Sequence, residues 1–239
     1  MDREHRHQLK RDRFVDEIGA LSLKARENQR LLAIVGGAVV AIALIGYGIF
    51  FYRGGQETKA QAELAKAIET IESPLLPATP QPGQQIQPGA KFKTEAERTA
   101  AAEKEFKDVQ AHHGGTTASD VAGLYLGRIA AARGDVKTAR KNLEEFIDDH
   151  GSHFLAGGAR YSLYQLRIDN GEAQQVVTEL NAEMAKAEPA LPGDAILNLL
   201  AHAYDVQGNA AKARETYRRI TTEYPDSPYT LDAQRRVGA

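Results

Sequence analysis

Two kinds of hydrophobic pattern divide the chain. Residues 31–52 form a run of 22 residues without a charge, between Arg30 and Arg53. An apolar helix of about 20 residues matches the hydrocarbon thickness of a bilayer, so this run predicts a transmembrane helix. In much of the rest, apolar residues recur at intervals of three and four, the spacing of one face of a helix. The pattern therefore predicts an all-α protein.

The segment before the anchor is highly charged. Residues 1–30 contain eight basic and six acidic residues. A weak apolar stripe at helical spacing runs through Phe14, Ile18, Leu21 and Ala25. It predicts a short amphipathic helix, which either leads into the anchor or binds a cytosolic or membrane partner.

The predicted anchor carries two further signals. It is longer than the core of a signal peptide and lies farther from the start, so we expect it to be retained. Ala33, Gly37 and Ala41 are spaced by four and form a face of small residues, on which another helix can pack closely in the bilayer. Small residues are also common in transmembrane helices generally, so a specific helix partner is one of two interpretations.

Basic residues on either side of the anchor indicate its orientation. Residues 11–30 hold five Lys and Arg, whereas residues 53–72 hold three. Positive charge favours the cytoplasmic side of a membrane. We expect residues 1–30 in the cytoplasm and residues 53–239 outside it.

The predicted external domain begins with two helical segments and an interruption. Residues 56–72 show an apolar helical face, and five of the nine prolines then fall in residues 73–93. Proline lacks a backbone donor and breaks helices, so this insert is expected to be a loop or disordered. Thr94 and Glu97 have the spacing of a capping box, which predicts a new helix to about His113.

A repeat follows the second helix. Gly134, Gly171 and Gly208 recur at a constant interval of 37 residues, each between two helical apolar patterns. A fixed period of this length indicates stacked supersecondary units. Glycine after a helix adopts the left-handed conformation that turns the chain into the next helix. Each repeat is therefore predicted to be a helical hairpin.

The last repeat combines large apolar residues, small residues and a final proline at fixed positions: Leu200, Ala201, Tyr204, Gly208, Ala213, Tyr217, Ile220 and Pro225. This pattern resembles a tetratricopeptide repeat, in which small residues let helices pack closely and a proline ends the second helix. The repeat from Ser119 has the same pattern, with Gly151 in place of the proline. The middle repeat has Tyr164 and Val176 where small residues are usual.

Two further segments complete the predicted stack. Residues 56–72 and 94–113 form an irregular first hairpin, split by the insert. Ser227 and Pro228 begin a short helix to about Arg236 that covers the end of the stack, as solenoids require. The fold class predicted is a single transmembrane helix followed by an α-solenoid of about four tetratricopeptide-like hairpins.

Composition excludes several kinds of chemistry. The chain has no cysteine, which excludes disulfides, thiol catalysis and cysteine-ligated zinc. Residues 54–239 carry 21 basic and 26 acidic residues, a net charge of −5 that does not favour a nucleic-acid partner.

Catalytic and metal-binding patterns are also missing from the sequence. His150 and His153 lie beside Asp148 and Asp149, but at a turn between repeats, where polar residues collect. No known nucleophile, phosphate-loop or zinc-protease motif occurs. We expect no metal, no cofactor and no enzyme activity.

A binding surface is the remaining candidate site. Repeat solenoids expose a groove lined by the first helix of each hairpin. Mixed apolar and polar side chains one turn apart on these helices suit an extended or helical peptide segment. For any single residue, the alternative interpretation is that it is solvated or makes contacts within the repeats. The predicted groove residues are Leu124, Arg128, Tyr161, Gln165, Asn198, His202 and Asp205.

The charged tail, the single anchor and the cysteine-free repeat domain together resemble the YfgM family. The resemblance implies an inner-membrane protein with a periplasmic repeat domain, ancillary to the Sec translocon and a periplasmic chaperone. It implies a scaffold that binds client or partner proteins. Two alternatives are a scaffold for envelope or cell-wall assembly and a signalling regulator that acts through the cytoplasmic tail.

Overall fold

The computed structural model describes residues 29–78 and 85–238. The chain divides into two compact units, Met1–Gly55 and Gln56–Ala239. The predicted tail helix around residues 14–25 lies outside the described residues. The helices of the described ranges are α1 (Gln29–Glu72), α2 (Glu95–His112), α3 (Thr117–Ala132), α4 (Val136–Asp149), α5 (Ala156–Arg167), α6 (Ala173–Met184), α7 (Gly193–Val206), α8 (Ala210–Glu223) and α9 (Thr230–Gly238).

In the first unit, α1 presents exposed apolar side chains. Val39, Ile42 and Leu44 are each at least 60% exposed. Within residues 29–78 and 85–238, no helix combines the length and the apolar character needed to cross a membrane. The predicted anchor, residues 31–52, lies within α1, and the side chains of residues 29–37 and 49–53 are outside the described residues.

The second unit is built from consecutive helical hairpins, as the period of 37 residues predicts. The pairs are α3 with α4, α5 with α6, and α7 with α8, and each pair turns at a glycine with positive φ. The φ values of Gly134, Gly171 and Gly208 are 79°, 89° and 74°. This left-handed conformation is strained for residues with a Cβ atom, which explains the recurring glycine.

The irregular first hairpin is also present. Ala60, Leu64 and Ala67 of α1 are buried in one cluster with Ala102 and Phe106 of α2. Polar contacts add to this packing, because Lys66 Nζ lies 2.9 Å from Glu105 Oε1. The prediction that residues 56–72 and 94–113 pair as helices is therefore confirmed, and residues 56–72 form the C-terminal part of α1.

α1 also contacts the start of α3. Glu57 accepts hydrogen bonds from the backbone N–H groups of Thr117 (2.9 Å) and Ala118 (3.2 Å). These groups lie in the first turn of α3, where intrahelical acceptors are lacking and a negative charge is favoured. One carboxylate thus joins the first hairpin to the second.

The ends of the proline-rich insert are held together. Leu76 N–H donates to Phe92 O at 2.8 Å, and Leu75 and Phe92 form an isolated parallel β-bridge. Arg98 donates to Ser73 O at 2.9 Å. The described parts of the insert, residues 73–78 and 85–93, are therefore joined at their base, and residues 79–84 are not described.

The predicted boundaries of α2 and α9 hold to within three residues, whereas residues 56–72 have no separate start, because α1 runs without a break from Gln29. Thr94 Oγ1 accepts from Glu97 N–H at 3.2 Å, but the Glu97 carboxylate accepts from Lys93 N–H instead of from the cap residue. The final helix begins at Thr230 and ends at Gly238, later than predicted. Ser227 lies in a turn before the helix. Its hydroxyl accepts from Tyr229 N–H and donates to Asp194 across the stack at 2.7 Å.

Candidate functional site

The first helices of the second, third and fourth hairpins bring predicted groove residues together. Tyr161 of α5 accepts a hydrogen bond from Asn198 Nδ2 of α7 at 2.6 Å. The ring of Tyr161 stacks against Tyr229, with centroids 5.9 Å apart. Burial raises the pKa of Tyr161 to about 12. These contacts fix the relative position of two first helices.

A cleft of about 420 Å³ has residues of α3 and α5 in its wall. Arg128 of α3 and Gln165 of α5, both predicted groove residues, line it together. The other side chains and backbone groups around it are Ala131, Gly134, Val136, Ser162, Leu166, Asp169 and Asn170. The cleft therefore lies between the second and third hairpins and offers both polar and apolar groups.

Arg128 lies partly inside this cleft. Its guanidinium carbon is 5.7 Å from the centroid of the Tyr125 ring, a cation–π contact. Its Nε is buried and, among the described residues, has no hydrogen-bond partner. Gly158 of α5 leaves room for the side chain, because a Cβ atom there would lie 3.0 Å from Arg128 Nη2.

His202 of α7 extends the groove beyond the cleft. Its Nε2 lies 2.7 Å from Asp169 Oδ1, and Asp169 also lines the cleft. We call Arg128, Tyr161, Gln165, Asn198 and His202 the groove face. These five predicted residues lie on three successive first helices and are partly or fully exposed.

The two other predicted groove residues are placed differently. Leu124 is 0% exposed and belongs to the core, so the prediction that it lines an exposed groove is wrong. α3 is covered by both α2 and α4, which leaves it a wider buried face than the periodicity indicates. Asp205 is directed toward the end of the stack, where it accepts from Tyr217 Oη at 3.2 Å and lies 3.8 Å from Arg236.

The small residues of α1 remain a prediction. Ala41 is exposed, while the side chains of residues 29–37, which include Ala33 and Gly37, lie outside the described residues. No contact with another helix is described for Ala41.

The histidines of the α4–α5 turn have partners other than each other. His150 Nε2 lies 2.8 Å from Asp120 Oδ2, and His153 Nδ1 accepts from Leu155 N–H at 3.2 Å. Over the described ranges, no group of three acidic or histidine side chains is arranged to hold a metal ion.

Sequence reasoning missed a charged network at the third hairpin. Arg167 donates through Nε to Glu172 at 2.8 Å and through both Nη atoms to Glu179, at 2.7 and 2.6 Å. Arg140 of α4 pairs with the same Glu172. Hydrogen bonds from Arg167, and then from Arg140, hold the pKa of Glu172 below its usual value. Arg140 and Glu172 are 32 residues apart, so no local pattern signals the pair.

A comparison with protein families matches residues 26–231 to the tetratricopeptide repeat-like domain. Comparisons with curated proteins and with solved structures gave no significant match. The matched range covers most of the chain and contains every groove-face residue. The hairpins, their glycine turns and this match agree, and the chain belongs to the tetratricopeptide repeat-like domain family.

Proposed function

We propose that this protein is a scaffold that binds other proteins through the groove face. The observation that carries the proposal is the cleft of about 420 Å³ between the second and third hairpins, lined by Arg128 and Gln165. The adjoining Tyr161–Asn198 and His202–Asp169 contacts hold the neighbouring helices in register. A pre-formed surface with aromatic, amide and charged groups suits a peptide segment of a partner. The proposed role is binding, not catalysis.

The proposed location is a bacterial inner membrane, with residues 31–52 as a single anchor and the repeats in the periplasm. Support for the anchor comes from its 22 uncharged residues and from the flanking basic residues. The exposed side chains of Val39, Val40 and Ile45 within it are apolar. Addition of protease to spheroplasts should digest residues 56–239, and protection of that domain would contradict the proposed orientation.

The proposed partners are the Sec translocon, a periplasmic chaperone and emerging client proteins, as the resemblance to the YfgM family implies. The anchor would act by confinement. A groove held at the membrane meets nearby segments at a high effective concentration, so modest intrinsic affinity is sufficient.

In-cell photo-crosslinking of the full-length protein tests these proposals. A photoreactive residue at Gln165, in the cleft, should crosslink specific proteins that mass spectrometry then identifies. The matched control is the same residue at Lys141, an exposed position of α4 outside the groove face. Recovery of Sec components and a chaperone from position 165 only would support the proposal.

Different outcomes would point to the alternatives. Recovery of cell-wall synthases without a Sec component would contradict the translocon proposal while retaining a scaffold. Equal crosslinking from both positions would contradict binding through the groove face. Deletion of residues 1–25 should leave the crosslinks at position 165 intact, whereas a regulator acting through the tail would lose its function.

A further inference from the structure

The guanidinium of Arg128, unlike those of Arg133, Arg140 and Arg167, has no anionic partner among the described residues. Arg133 pairs with Glu103, Arg140 with Glu172, and Arg167 with two glutamates. Within residues 29–78 and 85–238, no carboxylate lies within ion-pair distance of Arg128, whose described contact is the ring of Tyr125. The cleft therefore contains a guanidinium with no carboxylate in contact, and the carboxylate that also lines the cleft, Asp169, lies beside His202 instead.

The position of the guanidinium is restricted on one edge. Nε is buried without an acceptor among the described residues, so a ligand in the cleft can reach the Nη groups but not Nε. Tyr125 and Gly158 limit where the guanidinium can move. The Nη donors are thus held at the wall of an open cleft.

We propose that Arg128 binds the side-chain carboxylate of an aspartate or glutamate in a partner protein segment lying along the groove face. This inference rests on the proposed function and specifies its ligand chemistry. A guanidinium presents parallel N–H groups that match a carboxylate with two hydrogen bonds. The side chains of Gln165, Ser162 and Asn170 line the same cleft and suit the polar backbone of the segment.

The charge of the cleft favours a carboxylate over a phosphate. Asp169 lines the cleft and is near His202, which lies 2.7 Å away. Asp169 repels any anionic ligand in the cleft. A ligand carboxylate, with one negative charge, is repelled less than a phosphate dianion.

The test uses the full-length protein in detergent, with ¹⁵N-labelled arginine, and follows the Arg128 Nε–H resonance by NMR. The Arg128→Lys variant assigns that resonance by its loss. The first probe is acetyl-Ala-Leu-Glu-Leu-Ala-amide, whose one charge is the glutamate side chain. The matched probe contains glutamine in its place. A third probe contains glutamine and a free terminal carboxylate.

The glutamate probe should shift the Arg128 resonance, and the glutamine probe should leave it unchanged. The Kd measured at Arg128 should be roughly 10-fold lower than the Kd measured at Arg218, an exposed arginine of α8 that serves as the control. Equal shifts from the glutamate and glutamine probes, or a shift from the terminal carboxylate alone, would overturn the inference.

A second measurement separates this inference from the proposed function. Arg128→Gln should lower crosslinking from position 165 in cells about 10-fold, while Arg218→Gln should not. Unchanged crosslinking in Arg128→Gln would overturn the role of Arg128 and leave the scaffold proposal standing. Absence of any crosslink in the unaltered chain would instead contradict the scaffold proposal.

Discussion

The second and third hairpins share a period and a glycine turn but hold their helices together differently. In the second, α3 and α4 approach closely at Gly127, where a Cβ atom would lie 2.9 Å from Asn142 Cβ. In the third, α5 and α6 have little direct contact beyond the turn, and α6 packs mainly against α7. Here Tyr164 takes the usual place of a small residue, and Arg167 lies over its ring at 5.8 Å.

The difference shows two ways to stabilise one type of repeat. Close packing of α3 on α4 buries Leu143 and Phe146 completely or nearly so. The third hairpin replaces that packing with the Arg167 network, which connects α4, α5 and α6. A side chain too large for close packing is thus compatible with the fold when charged groups span the wider gap.

Substitution of Gly127 by leucine should have the largest effect. The new side chain would meet Asn142 Cβ, Ala139 O and Leu143, and overpacking should lower the free energy of unfolding by about 3 kcal/mol. Urea denaturation of the full-length chain, followed by circular dichroism, measures the change. The control is Gly157→Ala in α5, where nothing lies within 4 Å of the added atom. The control should be neutral or raise the free energy of unfolding by about 0.5 kcal/mol. A loss of stability as large as that of Gly127→Leu would contradict the difference in packing between the two hairpins.

Removal of the network should have the next largest effect. Arg167→Met keeps the apolar stem but leaves Glu172 and Glu179 without their main partner, and should destabilise the chain by about 2 kcal/mol. Arg219→Met removes a more exposed pair with Glu223 and should cost about 0.3 kcal/mol in the same urea assay. Equal losses in the two variants would show that the Arg167 network contributes no more than a surface ion pair.

The turns should respond alike, since both hairpins share them. Gly134→Ala and Gly171→Ala each force a Cβ atom into the left-handed region, with φ at 79° and 89°, although no atom obstructs it. Each should destabilise by about 1 kcal/mol, measured from the urea midpoint. A much larger loss at one glycine would mean that its turn has a role the other lacks.

The smallest effect should appear in the pH dependence of stability. Hydrogen bonds from Arg167 and Arg140 lower the pKa of Glu172 in the folded chain. The resulting stabilisation is complete above the unfolded pKa, which is about 4.3, and is lost as the pH falls through the lower folded pKa. Urea unfolding from about pH 6 to about pH 3 should show this loss, with a shallower decline in Arg167→Met. A parallel decline in both proteins would contradict the assignment.

The regular features of the fold were predictable from the sequence. Gly134, Gly171 and Gly208 identify the hairpins because a left-handed turn needs glycine whatever surrounds it. Arg128, Tyr161, Gln165, Asn198 and His202 lie partly or fully exposed on first helices, and their role in binding remains a prediction. Helix periodicity alone did not show that Leu124 is covered by neighbouring helices on more than one side.

Other contacts depend on residues far apart in the chain. A Cβ atom at Gly193 would clash with the hydroxyl end of the Tyr224 side chain, so the close approach of α7 to the end of α8 favours glycine there. The Arg140–Glu172 pair and the bond from Ser227 to Asp194 likewise join residues 32 and 33 positions apart. Such contacts follow from how the hairpins stack, and a single sequence shows no local trace of them.

The β-bridge at the base of the proline-rich insert has a consequence for tolerance to length change. The bridge between Leu75 and Phe92 already holds the ends of the insert together. Residues added between them lengthen the loop and raise only the entropic cost of closing it. Each doubling of such a loop costs only about 0.6 kcal/mol. The insert is therefore a natural attachment point, where an epitope, a fluorophore or a whole small domain can be carried without altering the stacked hairpins.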